Sequence, residues 1–374
     1  MLVKAATLRR TAVGAPYAET GPLEIGEVEL APPGPGEVLV AIKAAGLCHS
    51  DLSVINGDRP RPLPMILGHE AAGVVEAVGA GVHDLAPGDH VVTVFMPNCG
   101  HCLPCADGRP ALCEPGALAN GAGVLSSGES RLSHDGEMLH HHLGVSAFAE
   151  RAVVSRRSVV PVPADIPMVV AALFGCAVLT GVGAVVNTAR LTMGSSAAVV
   201  GLGGVGLAAV LGARAAGAGR IVAVDLSDEK LALARDLGAT DTVNAADPDC
   251  VDQVRAATGG GADFAFEMAG SIRALQGAVE MTRRGGMTVT AGLPPAGSAL
   301  PVDIVRLVGE ERTLKGSYMG SCVPSRDIPR YIELYREGRL PVERLLSGTL
   351  TLEQINEGFD RLHHGQAVRQ VVVF

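Results

Sequence analysis

The sequence has 374 residues, 48% of them hydrophobic, and carries a formal net charge of −9 at pH 7. This length predicts two domains with a sizeable core, and the negative charge provides no basic surface of the kind that binds nucleic acid. Gly, Pro or charged residues interrupt every long apolar stretch, so no transmembrane helix is expected. The N-terminus lacks the apolar region and cleavage site of a secretory signal. We therefore expect a cytoplasmic protein without a membrane or nucleic-acid partner.

The N-terminal part, residues 1–95, has the pattern of an all-β region, because turn-forming Gly and Pro residues separate short apolar or alternating segments. Many short strands with dense turns are typical of a small barrel or sandwich. Residues 116–147 are polar and glycine-rich and are expected to form an irregular loop. Strands are predicted again at 148–154 and 159–162.

Four of the eight cysteines lie close together in a short lobe, residues 96–115. They are Cys99, Cys102, Cys105 and Cys113. Four thiolates with no vacant position suit tetrahedral zinc in a structural site. The alternatives are incidental thiols and a redox C-x-x-C motif, and the second is disfavoured because the surrounding sequence is not a βαβ unit.

A second set of metal-ligand residues comes from three separate segments. Cys48, His69 and Cys176 together form a Cys2His set, which leaves a fourth position for water or substrate, as in catalytic zinc sites. Glu70 and Asp51 would support the ligands or act as an exchangeable ligand. A lone Cys or His in a β-domain is more often a buried thiol or a hydrogen-bonded imidazole, and the spacing alone leaves both interpretations open.

From about residue 167 the apolar residues recur with the period of a helix, and Cys176 is expected inside a helix over 171–186. The stretch 197–225 then combines an apolar strand, a complete G-x-G-x-x-G, an Ala/Leu-rich helix, a second strand and Asp225. This order predicts a dinucleotide site: the glycines permit a tight turn and close approach of a pyrophosphate to a helix N-terminus. The acid at the end of the second strand can accept the ribose hydroxyls.

Further strands complete a doubly wound parallel sheet, and they are predicted at 242–243, 264–267, 287–291 and 313–318. The tail from about 322 carries a predicted helix over 351–359 that begins with the capping pattern Thr351-x-x-Gln354. The final strand, 370–374, is expected to rejoin the first domain.

Several motifs occur in a characteristic order: GLCHSD, GHEAAGVV, the four-cysteine lobe, FGCAVLTGVGA, GLGGVG and Asp225, followed by KGSYMG and INEGFDRL. The chain closely resembles the zinc-dependent alcohol dehydrogenases of the medium-chain dehydrogenase/reductase superfamily, in particular the long-chain branch with the animal and glutathione-dependent formaldehyde enzymes. The resemblance implies an α/β protein with a doubly wound parallel Rossmann sheet and a β-rich GroES-like catalytic domain. The implied domains are catalytic (1–177, with the zinc lobe at 96–115), NAD-binding (178–321) and a return to the catalytic domain (322–374).

The resemblance also implies roles for individual residues, which follow by function. The catalytic zinc is expected on Cys48, His69 and Cys176 with Glu70 beside it, and the structural zinc on Cys99, Cys102, Cys105 and Cys113. The residues expected at NAD are the loop glycines Gly201, Gly203, Gly204 and Gly206, Thr180 and Val205 at the nicotinamide half, Asp225 and Lys230 at the ribose, and His49 and Arg369 at the pyrophosphate. The substrate channel is expected to contain Phe95, Leu118, His142, Leu143, Leu293 and Tyr318.

The expected reaction is NAD-dependent interconversion of primary or aromatic alcohols and aldehydes, with two zinc ions per chain. Ser50 would take the alcohol proton. Several family members place a histidine five residues after the first zinc cysteine, but here that position is Ser53, so we expect the proton to pass from Ser50 through the ribose to water or to His49. The resemblance further implies a homodimer, with a tetramer as the alternative.

Three other functions compete with this one. A thiol-adduct formaldehyde dehydrogenase would need basic pocket residues, and residues 114–122 contain none. A zinc-free reductase of the same superfamily would lack both ligand sets. A regulatory protein on a dehydrogenase scaffold would have lost ligands, but Cys48, His69 and Cys176 are all present.

Overall fold

The computed structural model describes residues 1–374, and the chain divides into two units. The first unit comprises Met1–Cys176, Val323–Arg330 and Leu346–Phe374, and the second comprises Ala177–Cys322 and Tyr331–Leu345. No single helix has the length and apolar character needed to cross a membrane, and one bent helix pair meets only the criteria of length and composition.

The chain forms eighteen strands and thirteen α-helices, numbered here in chain order. The strands are β1 (Leu2–Leu8), β2 (Leu23–Leu30), β3 (Glu37–Gly46), β4 (Met65–Ile66), β5 (Glu70–Val78), β6 (His90–Thr93), β7 (Leu132–His134), β8 (Glu137–His141), β9 (Arg151–Ser155), β10 (Val159–Pro161), β11 (Ser196–Val200), β12 (Arg220–Asp225), β13 (Asp241–Asn244), β14 (Ala262–Glu267), β15 (Thr282–Thr290), β16 (Thr313–Gly316), β17 (Leu346–Leu350) and β18 (Arg369–Val373). The helices are α1 (Tyr17–Thr20), α2 (His49–Ile55), α3 (Leu103–Ala106), α4 (Glu114–Ala122), α5 (Met168–Ala171), α6 (Ala177–Gly183), α7 (Gly204–Ala215), α8 (Asp228–Leu237), α9 (Cys250–Ala257), α10 (Ile272–Met281), α11 (Ile304–Gly309), α12 (Pro324–Arg336) and α13 (Ile355–His363).

The first unit is built from two β-structures. A closed barrel has the strand order β1-β2-β7-β8-β4, and a seven-stranded sheet has the order β10-β6-β5-β3-β18-β17, with β9 also paired to β3. Strand β3 is central in this sheet and is buried along its whole length except at Lys43. Its nearly continuous apolar sequence therefore reflects burial on both faces rather than the alternation of a half-exposed strand. The C-terminal strand β18 pairs antiparallel with β3.

Two predictions for the first unit are wrong. Residues 116–147 are not an irregular loop, since they contain most of α4 and the hairpin β7–β8. Asp135 and Gly136 join these strands with φ values of 50° and 79°, the left-handed pair that a two-residue hairpin turn requires. The N-terminal region is also not purely β, because α1 and the functionally placed α2 interrupt the strands.

The predicted continuous helix over 171–186 is also wrong. Helix α5 passes into a 3₁₀ turn at Ala172–Gly175, and Cys176 then leaves helical geometry with φ −138° and ψ −73°. Helix α6 follows and ends in a π-helical segment, Ala184–Ala189. The residue before the break must be glycine, because a Cβ at Gly175 would lie 2.3 Å from the carbonyl oxygen of Thr93. Cys176 therefore lies at a break in the helix, not inside it.

The second unit contains a six-stranded sheet with the order β13-β12-β11-β14-β15-β16. All its pairs are parallel. The chain adds strands in one direction from β11 to β13 and then returns to place β14 on the other side of β11. This reversal is the switch point at which doubly wound sheets bind ligands beyond the strands' carboxyl ends. The predicted α/β class with a doubly wound parallel sheet is confirmed.

Candidate metal centres and dinucleotide site

The register of β3 and β5 brings two segments of the first centre together. Gly46 at the end of β3 pairs with Glu70 at the start of β5, so Cys48 and His69 leave the sheet at the same end. A Cβ at Gly46 would lie 2.5 Å from Oε1 of Glu70, which means that the glycine makes room for this carboxylate. Gly68 has φ +89°, and a Cβ there would lie 2.7 Å from the backbone nitrogen of Phe148. The turn that presents His69 therefore requires glycine.

The structure brings Cys48, His69 and Cys176 into one buried cluster. Their ligand atoms all lie within 4.8 Å of one another, and Cys176 Sγ is 3.5 Å from Nε2 of His69. The residues are 6%, 1% and 6% exposed. Two sulfurs and one imidazole nitrogen in this arrangement fit a zinc ion with its fourth position open.

Asp51 on α2 orients the imidazole of this cluster. Its Oδ1 lies 3.2 Å from Nδ1 of His69 and also accepts a hydrogen bond of 2.9 Å from the backbone N–H of Gly68. Asp51 is fully buried. The carboxylate thus favours the tautomer with hydrogen on Nδ1, which leaves the Nε2 lone pair facing the two sulfurs.

Charge is distributed over the same cluster. A hydrogen bond from Cys176 and the nearby Arg369 guanidinium hold the pKa of Cys48 well below its ordinary value. The same hydrogen bond and burial raise the pKa of Cys176. Burial alone would lower the pKa of His69, but the charges of Asp51 and Cys48 raise it. A cation in this position would meet the Cys48 thiolate, and its own charge would favour loss of the proton from Cys176 and His69.

Arg369 and Glu70 form a buried ion pair beside the cluster. Arg369 Nη1 lies 3.7 Å from Oε2 of Glu70 and donates a hydrogen bond of 3.0 Å to the carbonyl oxygen of Leu47. Arg369 is only 4% exposed. Burial opposes its charge, but Glu70 and the two thiols raise the pKa of Arg369. The structure thus places this guanidinium within reach of the cluster and of Glu70.

Aromatic and polar side chains surround His69. The Phe95 ring packs edge-on at a centroid distance of 5.6 Å, and the His142 ring does so at 5.5 Å. His142 is 1% exposed, and burial lowers its pKa to about 3. Asn120 on α4 is also buried, and its Nδ2 donates a hydrogen bond of 2.9 Å to the carbonyl oxygen of Phe95. Asn120 thus holds the backbone of Phe95 in place beside His69. The polar and small residues around Asn120 in the sequence do not predict this contact.

The four cysteines of the lobe form a second cluster in the first unit. The sulfurs of Cys99, Cys102, Cys105 and Cys113 lie within 4.8 Å of one another, and all four are free thiols rather than disulfides. Backbone N–H groups point at the sulfurs: Cys102 donates to Cys99 Sγ at 3.2 Å, and Cys99 donates to Cys113 Sγ at 3.2 Å.

The thiols of this lobe differ in their proton affinity. Hydrogen bonds led by the N–H of His101 lower the pKa of Cys99 to about 6, whereas burial raises the pKa of Cys105 to about 12. A single cation bound by all four sulfurs would favour the deprotonated form at each of them. The donor set and the N–H groups that face the sulfurs fit a closed, four-coordinate zinc ion.

The glycine-rich loop of the second unit follows β11 and opens α7. Gly201 has φ +92°, and a Cβ there would lie 2.7 Å from Ala269. A Cβ at Gly206 would lie 1.8 Å from the carbonyl oxygen of Gly201, whereas nothing lies within 4 Å of a Cβ at Gly203. The first and third glycines are therefore required by the protein's own packing. The second leaves open space at the start of the helix, where a phosphate can approach the backbone.

Asp225 ends β12 beside this loop. Its Oδ2 accepts a hydrogen bond of 2.7 Å from the N–H of Leu202, and its Oδ1 accepts one of 2.9 Å from the N–H of Ser227. The Ser227 hydroxyl in turn accepts from the backbone N–H of Lys230 at the start of α8. A second acid, Glu267, ends β14 and is 1% exposed; it accepts hydrogen bonds from Ala269 and Gly270 N–H groups. Glu267 was not among the residues predicted from the sequence, although its position at the end of the predicted strand 264–267 could have identified it as a second acid at this edge of the sheet.

The remaining predicted residues lie as follows. His49 is exposed and Ser50 is half-buried in the first turn of α2. Leu143 is buried in the first unit, whereas Leu118 on α4 is 75% exposed. In the second unit, Thr180 on α6 is buried, Gly204 and Val205 begin α7, Tyr318 is half-buried, and Leu293 is 55% exposed.

Comparisons with known proteins agree with this architecture. Residues 34–164 match the alcohol dehydrogenase GroES-like domain, and residues 204–337 match the zinc-binding dehydrogenase family. An alcohol dehydrogenase zinc-binding domain protein from Burkholderia ambifaria is 38% identical over 100% of this chain and 99% of its own, with a TM-score of 0.94. Benzyl alcohol dehydrogenase from Acinetobacter calcoaceticus is 32% identical with the same coverage and a TM-score of 0.93. A structure from Sinorhizobium meliloti 1021, described as a zinc-binding dehydrogenase bound to NADP, is 26% identical over 100% of both chains, with a TM-score of 0.80.

Proposed function

We propose that this chain interconverts primary or aromatic alcohols and aldehydes by hydride transfer with NAD. The chain belongs to the zinc-dependent alcohol dehydrogenases of the medium-chain dehydrogenase/reductase superfamily. Members of this family bind zinc and a nicotinamide cofactor. The observation that carries the proposal is the buried set of Cys48, His69 and Cys176, with ligand atoms within 4.8 Å. The same chain holds a complete dinucleotide loop at Gly201–Gly206.

Zinc held by this set would act as a Lewis acid on the substrate oxygen and favour loss of the alcohol proton. The chain's own residues prepare that chemistry. Asp51 keeps the Nε2 lone pair of His69 available. The two thiolates complete three ligands and leave room for a substrate oxygen, while Glu70 and Arg369 balance charge behind them. Burial of the ligands keeps bulk water from competing for this position.

The proton route is proposed to begin at Ser50. Ser53 is a poor candidate for a relay member, because its hydroxyl donates a hydrogen bond of 2.8 Å to the carbonyl oxygen of His49 within α2. That bond occupies the only hydroxyl hydrogen of Ser53. We therefore assign transfer of the alcohol proton to Ser50 and the cofactor ribose, with release to water or to the exposed His49.

NAD is proposed over NADP because of Asp225. A carboxylate at the end of β12 can accept hydrogen bonds from both ribose hydroxyls and repels a 2′-phosphate. Its two backbone contacts hold it at the loop, which fixes that charge in place. The loop glycines Gly201, Gly203, Gly204 and Gly206 would meet the pyrophosphate. The remaining cofactor contacts are assigned to Thr180, Val205, Lys230, His49 and Arg369.

Two zinc ions per chain are proposed, with the second held by the four-cysteine lobe. The alternative function, a thiol-adduct formaldehyde dehydrogenase of the long-chain branch, is disfavoured because α4 carries no basic residue for a charged thiol substrate. Phe95 packs on His69 and offers apolar surface there, and the buried Leu143 is assigned to the same channel. We also propose Leu118, Leu293 and Tyr318 as residues of the substrate channel.

A homodimer is proposed from an exposed surface of the second unit. Strand β16 is the outer strand of its sheet, and all four of its residues are exposed. On the adjacent segment, Ile304, Val305 and Val308 are 62%, 84% and 70% exposed. An open strand edge beside an apolar patch is suited to pairing with a second copy. Light scattering should give twice the chain mass, and Val305→Glu should yield monomer; a monomeric wild type would contradict this assignment.

The function is tested by combining a metal assay with a scan for NADH absorbance over an alcohol panel. We expect turnover of benzyl alcohol and medium-length aliphatic alcohols, with S-hydroxymethyl thiol adducts poor substrates. Arg151→Lys, at an exposed ion pair with Glu76, serves as a matched surface control. Turnover of a thiol adduct but not of simple alcohols would favour the alternative function instead.

A further inference from the structure

Three buried polar atoms beside the zinc ligands lack a hydrogen-bond partner in the protein. They are Oδ2 of Asp51 and both ring nitrogens of His142. Asp51 is fully buried and His142 is 1% exposed. Buried polar groups are nearly always paired, and those that are not mark a place where a water or a ligand completes the bonding.

No neighbouring protein group satisfies His142. Its Nε2 lies 3.4 Å from Oδ1 of Asp51, but that oxygen already accepts from Gly68 N–H and faces Nδ1 of His69. The His142 backbone N–H is anchored on Oγ of Ser146 at 2.9 Å, which fixes the residue while leaving its imidazole unpaired. The missing partner is therefore not part of the protein.

The position of the His142 imidazole indicates that the missing partner is a group of the substrate. Its ring centroid is 5.5 Å from that of His69, whose Nε2 faces the sulfurs of the candidate zinc site. A group bound to His142 thus lies within the length of one small molecule from the oxygen that zinc would hold. Phe95 packs on another side of His69 and supplies the apolar surface for the carbon skeleton.

We propose that His142 is a specificity-determining residue that binds a second hydroxyl group carried by the alcohol substrate. This inference rests on the proposed function. A neutral imidazole offers one donor and one acceptor, and a hydroxyl group can use both, or donate to Oδ2 of Asp51. An alkyl group would leave all three buried atoms unpaired. A carboxylate would face the negative charge of Asp51, so hydroxyl-bearing alcohols are the matching class.

The Arg61 guanidinium, a cation whose charge acts on this imidazole, does not change that choice. The Arg61 charge contributes to the low pKa of His142, behind burial and the His69 charge. Its Nη1 donates a hydrogen bond to the carbonyl oxygen of Asn120. The guanidinium is thus anchored on α4, whereas Asp51 approaches the His142 ring directly.

The test compares matched alcohols: 3-hydroxybenzyl with 3-methylbenzyl alcohol, the corresponding 4-isomers, and 3-(hydroxymethyl)benzoate. We expect wild type to prefer a hydroxyl- over a methyl-substituted alcohol by about tenfold or more in kcat/KM in at least one isomer pair. His142→Phe should abolish the preference while retaining turnover of the methyl compound, and His142→Asn should keep part of it. His134→Phe, at the half-exposed end of β7, should leave the ratio unchanged.

Calorimetric dissociation constants of the same alcohols, measured without nicotinamide, provide a readout independent of turnover and should show the same preference. Equal ratios in wild type and in both His142 variants would overturn the inference, as would a preference for the methyl compounds or for the benzoate. Absence of turnover for every alcohol would instead count against the proposed function. A ratio unaffected by His142 with normal turnover would overturn the inference and leave the proposed function intact.

Discussion

Replacing Asp51 with Asn tests how the protein prepares its proposed catalytic zinc site. Asp51 is fully buried, and its Oδ1 serves both Gly68 N–H and Nδ1 of His69. An amide oxygen in the same place can still accept both hydrogen bonds, but without the negative charge. Hydrogen bonds to a charged group are worth roughly 1 kcal/mol more than neutral ones. The free energy of unfolding should therefore fall by about 2 kcal/mol, and the protein should remain folded.

The same substitution should weaken zinc binding at one site only. Loss of the carboxylate behind a histidine ligand typically costs about 10- to 100-fold in metal affinity, and kcat/KM at limiting zinc should fall in proportion. Competition with a chromogenic chelator should show one weakened zinc and one unchanged zinc, the latter in the four-cysteine lobe. Asp58→Asn, an exposed acid paired with Asn56, is the matched control. Unchanged affinity of both zinc ions in Asp51→Asn would refute the positioning role.

Three further predictions concern the cofactor, the proton route and stability. Asp225→Gly should narrow the preference for NAD over NADP in kcat/KM, and equal wild-type efficiency with both cofactors would contradict its role. Ser50→Ala should lower kcat by roughly 10²-fold, whereas Ser53→Ala, which loses only a bond to the helix backbone, should have much less effect across a kcat–pH profile; equal losses would refute the route. Arg131 and two other hydrogen-bond donors outweigh burial and lower the pKa of Glu37 below its ordinary value of 4.5, so this group stabilises the fold above pH 4.5 and loses its effect as pH falls through the lower folded pKa. Glu37→Gln should therefore lower Tm at pH 7, with the difference shrinking below pH 4.5 and a constant difference counting against the pairing.

Local sequence signals predicted the parts of the molecule that depend on short-range chemistry. The glycine-rich loop followed its strand, and the capping pattern at Thr351 is present, since its N–H donates to Oε1 of Gln354 at 3.0 Å. The α-helix itself begins later than predicted, after a 3₁₀ turn. The hairpin at Asp135-Gly136 was also signalled locally, because this dipeptide favours the required turn, but the polar composition around it suggested a loop.

Features that depend on contacts between distant parts of the chain could not be predicted from the sequence. Spacing could not decide whether Cys48, His69 and Cys176 meet, since their approach depends on the β3–β5 register and on the break at Cys176. Gly175, the residue before that break, packs closely against Thr93, which is 82 residues away in the chain (175 − 93). The buried role of Asn120 depends on the same kind of distant contact, with Phe95.

The proposed catalytic zinc on Cys48, His69 and Cys176 is the feature on which dehydrogenase activity of this chain depends. The most direct measurement is zinc content and benzyl alcohol turnover in wild type, His69→Ala and Cys102→Ser. We expect about two zinc ions per chain and NADH formation in wild type. His69→Ala should remain folded, retain one zinc and lose turnover, whereas Cys102→Ser should lose the other zinc and stability. Full turnover in His69→Ala with its zinc content reduced to one would contradict the claim.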